Sequence, residues 1–313
     1  MELETFPTTS GSQALLAHPM FGAGRGQSPQ APVVTDGAGD LSRVVASFFA
    51  SDASKERADY VCPTFDGNEL IIQRAIDELT NTGTVNFDAD QPGRIMLTEG
   101  SFYLDGTVTT RGCEIEGVNS YFAGTNIYSN EEFAGPLFLA DTDRGGRFAH
   151  LHINGGWEEN ILVTGSGVWI EKCVIASAIG PGIRVNGAVD VWVSDCHINA
   201  SSGGVVVQDS TQVRIDGCTF QFGSDSGIVK IAGDCQYVWL TDCYLDGQTD
   251  PVEDDIVVSS GASNIIVRGN VAVQEVDLVA SESVVSGNVF GGGTLSLTTS
   301  VDGPNIINGV VVP

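Results

Sequence analysis

The sequence predicts an all-β chain: a right-handed, single-stranded parallel β-helix with an N-terminal capping helix and an N-terminal arm. Three observations predict it. A strand-and-turn unit of about two dozen residues recurs through the second half of the chain. A cysteine returns at one fixed position of that unit. A single amphipathic helix pattern precedes the repeat, and none follows it.

Taken in chain order, residues 1–57 are rich in Gly, Ser, Ala, Pro and Thr. They read as an arm or linker, with only LSRVVASFF (Leu41 to Phe49) apolar enough for a short helix. Residues 58–110 hold the capping helix and first coils. In FDGNELIIQRAIDELTNTG, Ile72, Ala75, Ile76 and Leu79 fall at i, i+3, i+4 and i+7, which makes one apolar helix face. Asp66 followed by Glu69 reads as a capping box, and the Asn81 to Gly83 stretch as the stop. An open solenoid needs a cover over its first core layer, and this helix is placed to be one.

Residues 111–313 are the coils. VWIEKCVI (168–175), VWVSDCHI (191–198), VRIDGCTF (213–220) and VWLTDCYL (238–245) repeat one unit, and IIVRGNVA (265–272) and SVVSGNVF (283–290) are degenerate copies. Cys173, Cys196, Cys218, Cys243 and Asn270 are separated by 23, 22, 25 and 27 residues. Variation of that size belongs in turns while the strands keep register. Coils in a parallel sheet lie about 4.8 Å apart, so equivalent residues stack into ladders. Cys173, Cys196, Cys218, Cys243, Asn270 and Asn288 are therefore expected to form an inward structural ladder of thiols continued by amides. A line of thiols does not converge as tetrahedral metal ligation requires, and no metal site is predicted.

In V-x-[IVL] the flanking residues point inward, so the middle residue faces out. That position holds Trp169, Trp192, Arg214 and Trp239 on successive coils. An outer aromatic stripe marks a contact surface. Two readings stay open: burial against the protein's own loops or a neighbouring subunit, or a stacking platform for sugars. An arginine between two tryptophans also allows cation–π stacking.

Forty Asp and Glu against 14 Lys and Arg give a net charge of −26 on 313 residues, and Lys55, Lys172 and Lys230 are the only lysines. A nucleic-acid surface needs clustered basic charge, so that class is excluded. Acidity spread through a chain that is 42% apolar resembles the surface of a halophile's protein. In molar salt the Debye length falls to about 3 Å and self-repulsion is screened, so salt-dependent folding is expected.

Seven cysteines contain no CxxC pair, which removes zinc-ribbon and thioredoxin-type motifs. The N-terminal residues show neither a basic leader nor an apolar run of signal-peptide length, and no stretch approaches membrane-spanning length. The protein is thus expected to be made in a host cytoplasm without a signal peptide. The carboxylates Asp88 and Asp90, and Asp250, Glu253, Asp254 and Asp255, could hold a cation or act as acid and base, but in so acidic a chain they read as solvated turns. No cofactor is assigned. His18, His150, His152 and His197 fit no catalytic signature, and His197 reads as structural. Gly291 to Gly293 is a turn without the strand–helix context of a phosphate loop.

ADYVCPTFDGNELIIQRAIDELTNTGTVNF, followed by LTEGSFYLDGTVTT, resembles the entry module of pectate-lyase-like β-helix proteins of phage and prophage tails. The resemblance covers about Ala58 to Thr110 and rests on the DG turn, the IQ-x-AID helix and the G-x-V and G-x-F strands. It implies a trimer of β-helices projecting from a virion as spike, fibre or head decoration, attached to other virion proteins by the N-terminal arm and contacting host glycan or glycoprotein. Combined with the acidity, the host is expected to be a halophile, haloarchaeal or bacterial. The enzymatic members' calcium-bound Asp cluster facing a basic residue is not recognisable. Arg184 is the only outward basic candidate on its strand, and with no ladder of partnering carboxylates evident nearby it receives no catalytic role. The expected function is non-enzymatic host attachment from a virion surface, and the alternative is a polysaccharide lyase or glycoside hydrolase on the same scaffold.

Overall fold

The computed structural model describes residues 42–312 apart from 82–92, 121–123, 131–132, 144, 177–178, 200–202, 222–227, 247–254, 273–275, 292–293, 299–300, 303–304 and 308–309. The chain divides into units Met1–Val33 and Val34–Pro313, and the described residues all belong to the second.

Each coil carries three short strands, one on each of three faces. In two successive coils these are Val168–Glu171, Val174–Ala176 and Ile183–Asn186, then Val189–Ser194, His197–Asn199 and Val205–Gln208. Every strand pairs in parallel with its counterpart one coil on: Trp169 with Trp192, Val174 with His197, Ile183 with Val205. The second strands make an 11-stranded sheet, and the first and third strands are joined in a 21-stranded one. This is the all-β, right-handed parallel solenoid that the repeat predicts.

Alternation fills its core. On the first face Val168 and Ile170, Val191 and Val193, Val213 and Ile215, Val238 and Leu240 are buried pairs from successive coils. Each side chain of that size stabilises its coil by roughly 1.5–3 kcal/mol. The β-branched residues suit the pleated, stacked surface. One apolar cluster runs from Val45 to Phe290, with Phe102, Phe138, Phe148, Phe220 and Phe290 wholly inside.

The corner after the first strand explains the cysteine spacing. Lys172, Asp195, Gly217, Asp242, Gly269 and Gly287 occupy it with φ between 51° and 71°, a left-handed conformation suited to Gly and short polar residues. That single residue turns the chain, and the next one points inward. It is Cys173, Cys196, Cys218, Cys243, Asn270 and Asn288 in turn, all buried. The thiols reach main-chain carbonyls, Cys196 Sγ donating to Ser194 O at 3.3 Å and Cys218 Sγ to Asp216 O at 3.4 Å. The amides bond along the axis, Asn270 Nδ2 donating to Asn288 Oδ1 at 3.0 Å and Asn288 Nδ2 to Asn305 Oδ1 at 2.9 Å. Asn305 is thus a further rung beyond the six residues expected. A second inward series, Ala188, Ser210, Cys235, Ala262 and Ser283, lines the corner between the third and first strands.

At the N-terminal end a helix (α2, Glu69–Asn81) lays Ile72, Ala75, Ile76 and Leu79 on the core, in the capping place expected for it. Gln73 clasps the neighbouring strand, accepting from Thr109 N at 2.8 Å and donating to Thr109 O at 3.2 Å. The expected capping box does not form. Glu69 Oε2 instead accepts from Asp105 N at 3.0 Å, while Asn68 ties its amide to Thr64 O and Asp66 O.

The helix expected over Leu41 to Phe49 is also corrected. Ser42–Ala46 is a strand, because the chain offers it parallel partners on both sides, Arg94–Leu97 and Tyr60–Val61. A one-turn helix (α1, Asp52–Glu56) follows, its Ser51 cap accepting from Ser54 N. Residues 42–57, expected within the arm, therefore pack into the first turn; residues 1–41 lie outside the described residues. At the other end Asn305–Ile307 and Val310–Val312 pair antiparallel and cover the last edge of the second face.

Candidate functional site

The outward positions of the first face line up in register as Arg94, Glu114, Arg147, Trp169, Trp192, Arg214, Trp239 and Ile266. The four predicted stripe residues are brought together, and they touch. Trp169 and Trp192 stack with ring centroids 4.5 Å apart and planes 10° from parallel. The Arg214 guanidinium lies 4.4 Å from the Trp192 centroid and 4.8 Å from that of Trp239. The sequence order Trp, Trp, Arg, Trp is therefore a continuous stack along the solenoid axis.

This geometry changes what the stripe can do. Both faces of Trp192 are covered, one by Trp169 and one by Arg214, and one face of Trp239 is covered by Arg214. The rings are not a row of open sugar platforms; stacked along the axis, they turn their edges outward. Aromatic edges carry the positive part of the ring quadrupole. The sequence shows the tryptophan spacing but not the side-chain torsions that turn rings on edge.

Beside the stack runs a polar column two residues further along each strand, Ser194, Asp216 and Thr241, flanked by the corner residue Asp195. Together they bound a groove of about 510 Å³ lined by Trp169, Trp192, Arg214, Trp239 and these polar residues. Thr241 Oγ1 donates to Asp216 Oδ1, and Trp192 Nε1 donates to Asp190 Oδ1 at 3.1 Å. Among the described residues Arg214 makes no hydrogen bond or ion pair, only its two ring contacts.

Upstream the same column is ionic. Arg147 lies against Glu114 and Glu116, each at 3.7 Å, and against Glu171; Arg94 pairs with Glu114 and Glu116. Sequence reading missed this network because its members come from four coils with no shared motif.

Arg184 has one carboxylate partner: Glu159, largely buried, pairs with Arg184 Nε. Asp255 is buried rather than a solvated turn residue. Asp88, Asp90, Asp250, Glu253, Asp254, Gly292, Gly293 and His18 lie outside the described residues. His152 Nδ1 lies 2.9 Å from Asn126 Oδ1, and burial lowers the pKa of His150, His152 and His197. Contact with the Cys173 and Cys218 thiols, then burial, holds Cys196 well above the ordinary thiol range, and burial pushes Cys113 up to about 12. Held protonated, the Cys196 and Cys113 thiols suit a packing role. Among the described residues no group of three or more His, Cys, Asp or Glu is arranged to hold a metal ion, and no helix is long and apolar enough to cross a membrane.

Residues 137–307 match the family described as the right-handed β-helix region. No curated protein matches the chain in sequence. Among solved structures, ORF18 of Geobacillus virus E2 is similar with a TM-score of 0.55 at 13% identity, over 77% of this chain and 58% of that one. The chain thus spans somewhat over half the length of that viral protein. Tailspike protein 3 of bacteriophage CBA120 is similar with a TM-score of 0.40 at 15% identity, over 74% of this chain and 50% of the other. The pectate lyase Bsp165PelA of Bacillus sp. N165, solved in complex with trigalacturonate, gives 0.40 at 14% identity, over 89% and 85%.

Proposed function

The chain belongs to the right-handed β-helix family, and from that premise we propose that it is a virion surface protein that holds the particle to glycan on a host cell. The observation that carries this reading is the groove along the first face, where three tryptophans and an arginine stand beside Ser194, Asp195, Asp216 and Thr241. Sugars present both hydroxyls and apolar C–H faces. Carboxylates and hydroxyls of the polar column accept from and donate to the hydroxyls, while the ring edges cover the apolar parts. A groove on rigid, stacked strands keeps these groups pre-set, which lowers the ordering cost of binding.

The likeness in fold to a viral protein supports the virion setting. Residues 1–41 then serve as the attachment to other virion proteins, three copies project together, and the acidic surface suits a halophilic host.

Soluble protein, with Trp192→Ala combined with Trp239→Ala as the comparison, tests this against host-surface polysaccharide. The native chain binds and competes with particle adsorption, the double variant does neither, and no new reducing ends or unsaturated uronates form. Turnover of the polysaccharide makes the protein a depolymerase instead. Loss of the oligomer in the double variant, with glycan affinity intact, makes the stripe a subunit contact.

A further inference from the structure

We infer that Arg214 is an anion-recognition element, and that the glycan taken by the groove carries carboxylate or sulfate groups. The inference deepens the proposed function and rests on it.

Arg94, Arg147 and Arg184 all face outward on the sheets, and each holds carboxylates. Arg214 faces outward in the same column as Arg94 and Arg147, in a chain of net charge −26, and among the described residues it holds none. The reason is geometric. The guanidinium is held between the Trp192 and Trp239 rings, its carbon 4.4 and 4.8 Å from their centroids. Asp216, two residues along the same strand, is the nearest outward carboxylate in sequence and is engaged with Thr241 Oγ1 instead.

The result is a fork of N–H donors held between two rings at the groove, with no hydrogen-bond or ion-pair partner among the described residues. The indole edges above and below it carry partial positive charge as well. Arg214 is therefore the one cation of a groove whose lining also holds Asp195 and Asp216. Neutral hydroxyls would leave the guanidinium charge uncompensated, whereas a carboxylate or sulfate oxygen pair matches the fork. Asp195 and Asp216 in the groove and the acidity beyond it repel an anion; molar salt cuts the reach of the outer charges to about 3 Å, and the direct contact with the guanidinium has to outweigh the two groove carboxylates.

The test titrates the full chain, in molar KCl, with two matched pairs: hexagalacturonate against its methyl ester, and sulfated cellohexaose against cellohexaose, read by quenching of tryptophan emission. At least one anionic member binds about tenfold more tightly than its neutral partner. Arg214→Gln abolishes that preference, the ratio of anionic to neutral affinity within each pair falling to about one whatever the absolute affinities, and Arg214→Lys, which keeps the charge without the fork, restores part of it. Thermal melts of both variants establish that they fold. Equal binding within each pair, or a preference that survives in Arg214→Gln, overturns the inference while glycan binding and the proposed function stand. If all four ligands fail to bind, the inference falls, and the proposed function is then decided separately by the adsorption experiment. Which pair shows the preference distinguishes a uronate from a sulfated sugar.

Discussion

One strand-and-corner unit builds two ladders, and they obey different rules. The inner ladder, Cys173 to Asn305, is buried in every coil, and its chemistry changes once, from thiol to amide. The outer ladder, four residues earlier in the unit, runs through Arg147, Trp169, Trp192, Arg214, Trp239 and Ile266 with no constant size or charge. The first is fixed by space and by hydrogen bonds to main-chain carbonyls that solvent cannot reach. The second is free of the core, so its side chains can be chosen for what lies outside. The same repeat thus separates a buried, space-filling row from an exposed one by the direction in which a residue points.

The sharpest way to break this contrast is within the inner ladder. Asn288 Nδ2 donates to Val267 O at 2.9 Å and to Asn305 Oδ1, while its Oδ1 accepts from Asn270 N and Nδ2. Asn288→Ala leaves several buried groups without partners, each costing roughly 1–3 kcal/mol, and the net loss is expected at about 3 kcal/mol. Cys218→Ala removes one sulfur and weak bonds at 3.4 and 3.6 Å, and is expected to cost about 1 kcal/mol. Urea unfolding of the two variants measures the difference. Equal losses would show that amide and thiol rungs are interchangeable packing.

The inner ladder and the capping helix were legible in the sequence because both rest on spacing: 22 to 27 residues between rungs, and Ile72, Ala75, Ile76 and Leu79 on one helix face. Asn305 was not legible, because in its coil the repeated unit shrinks to Val301–Asp302 and the motif that marks the position is gone. Ser42–Ala46 was misread for a related reason. Its strand character comes from partners 15 and 52 residues away rather than from its own pattern. The stripe's members could be read, but their edge-on stacking could not, since it depends on how each ring is turned against its neighbour one coil away.

A smaller effect separates the faces by pH. Burial holds His150, His152 and His197 below the ordinary histidine pKa. The unfolded chain, titrating near the usual value of about 6.5, then binds more protons than the folded one once the pH drops. Stability is therefore complete above roughly pH 7 and declines as pH falls through 6.5 toward the depressed folded values. The thermal midpoint should follow that course between about pH 7 and 5, and His152→Gln should flatten it. A slope unaltered by that change would place the linkage elsewhere.

The smallest expected effect is on the outer ladder, and its smallness is the point. Trp239 is partly exposed, and its one ring contact among the described residues is with Arg214 at 4.8 Å. A cation–π contact at such a site contributes about 0.5–1 kcal/mol. Trp239→Leu keeps an apolar side chain above the unchanged core pair Val238 and Leu240, so its urea midpoint should move far less than that of Asn288→Ala. The guanidinium loses one of its two clamping rings, however, and with it the orientation that keeps it from Asp216. A stability cost as large as that of Asn288→Ala would mean that the stack holds the solenoid together. A near-neutral change with weakened glycan binding would support the recognition role proposed for the stack.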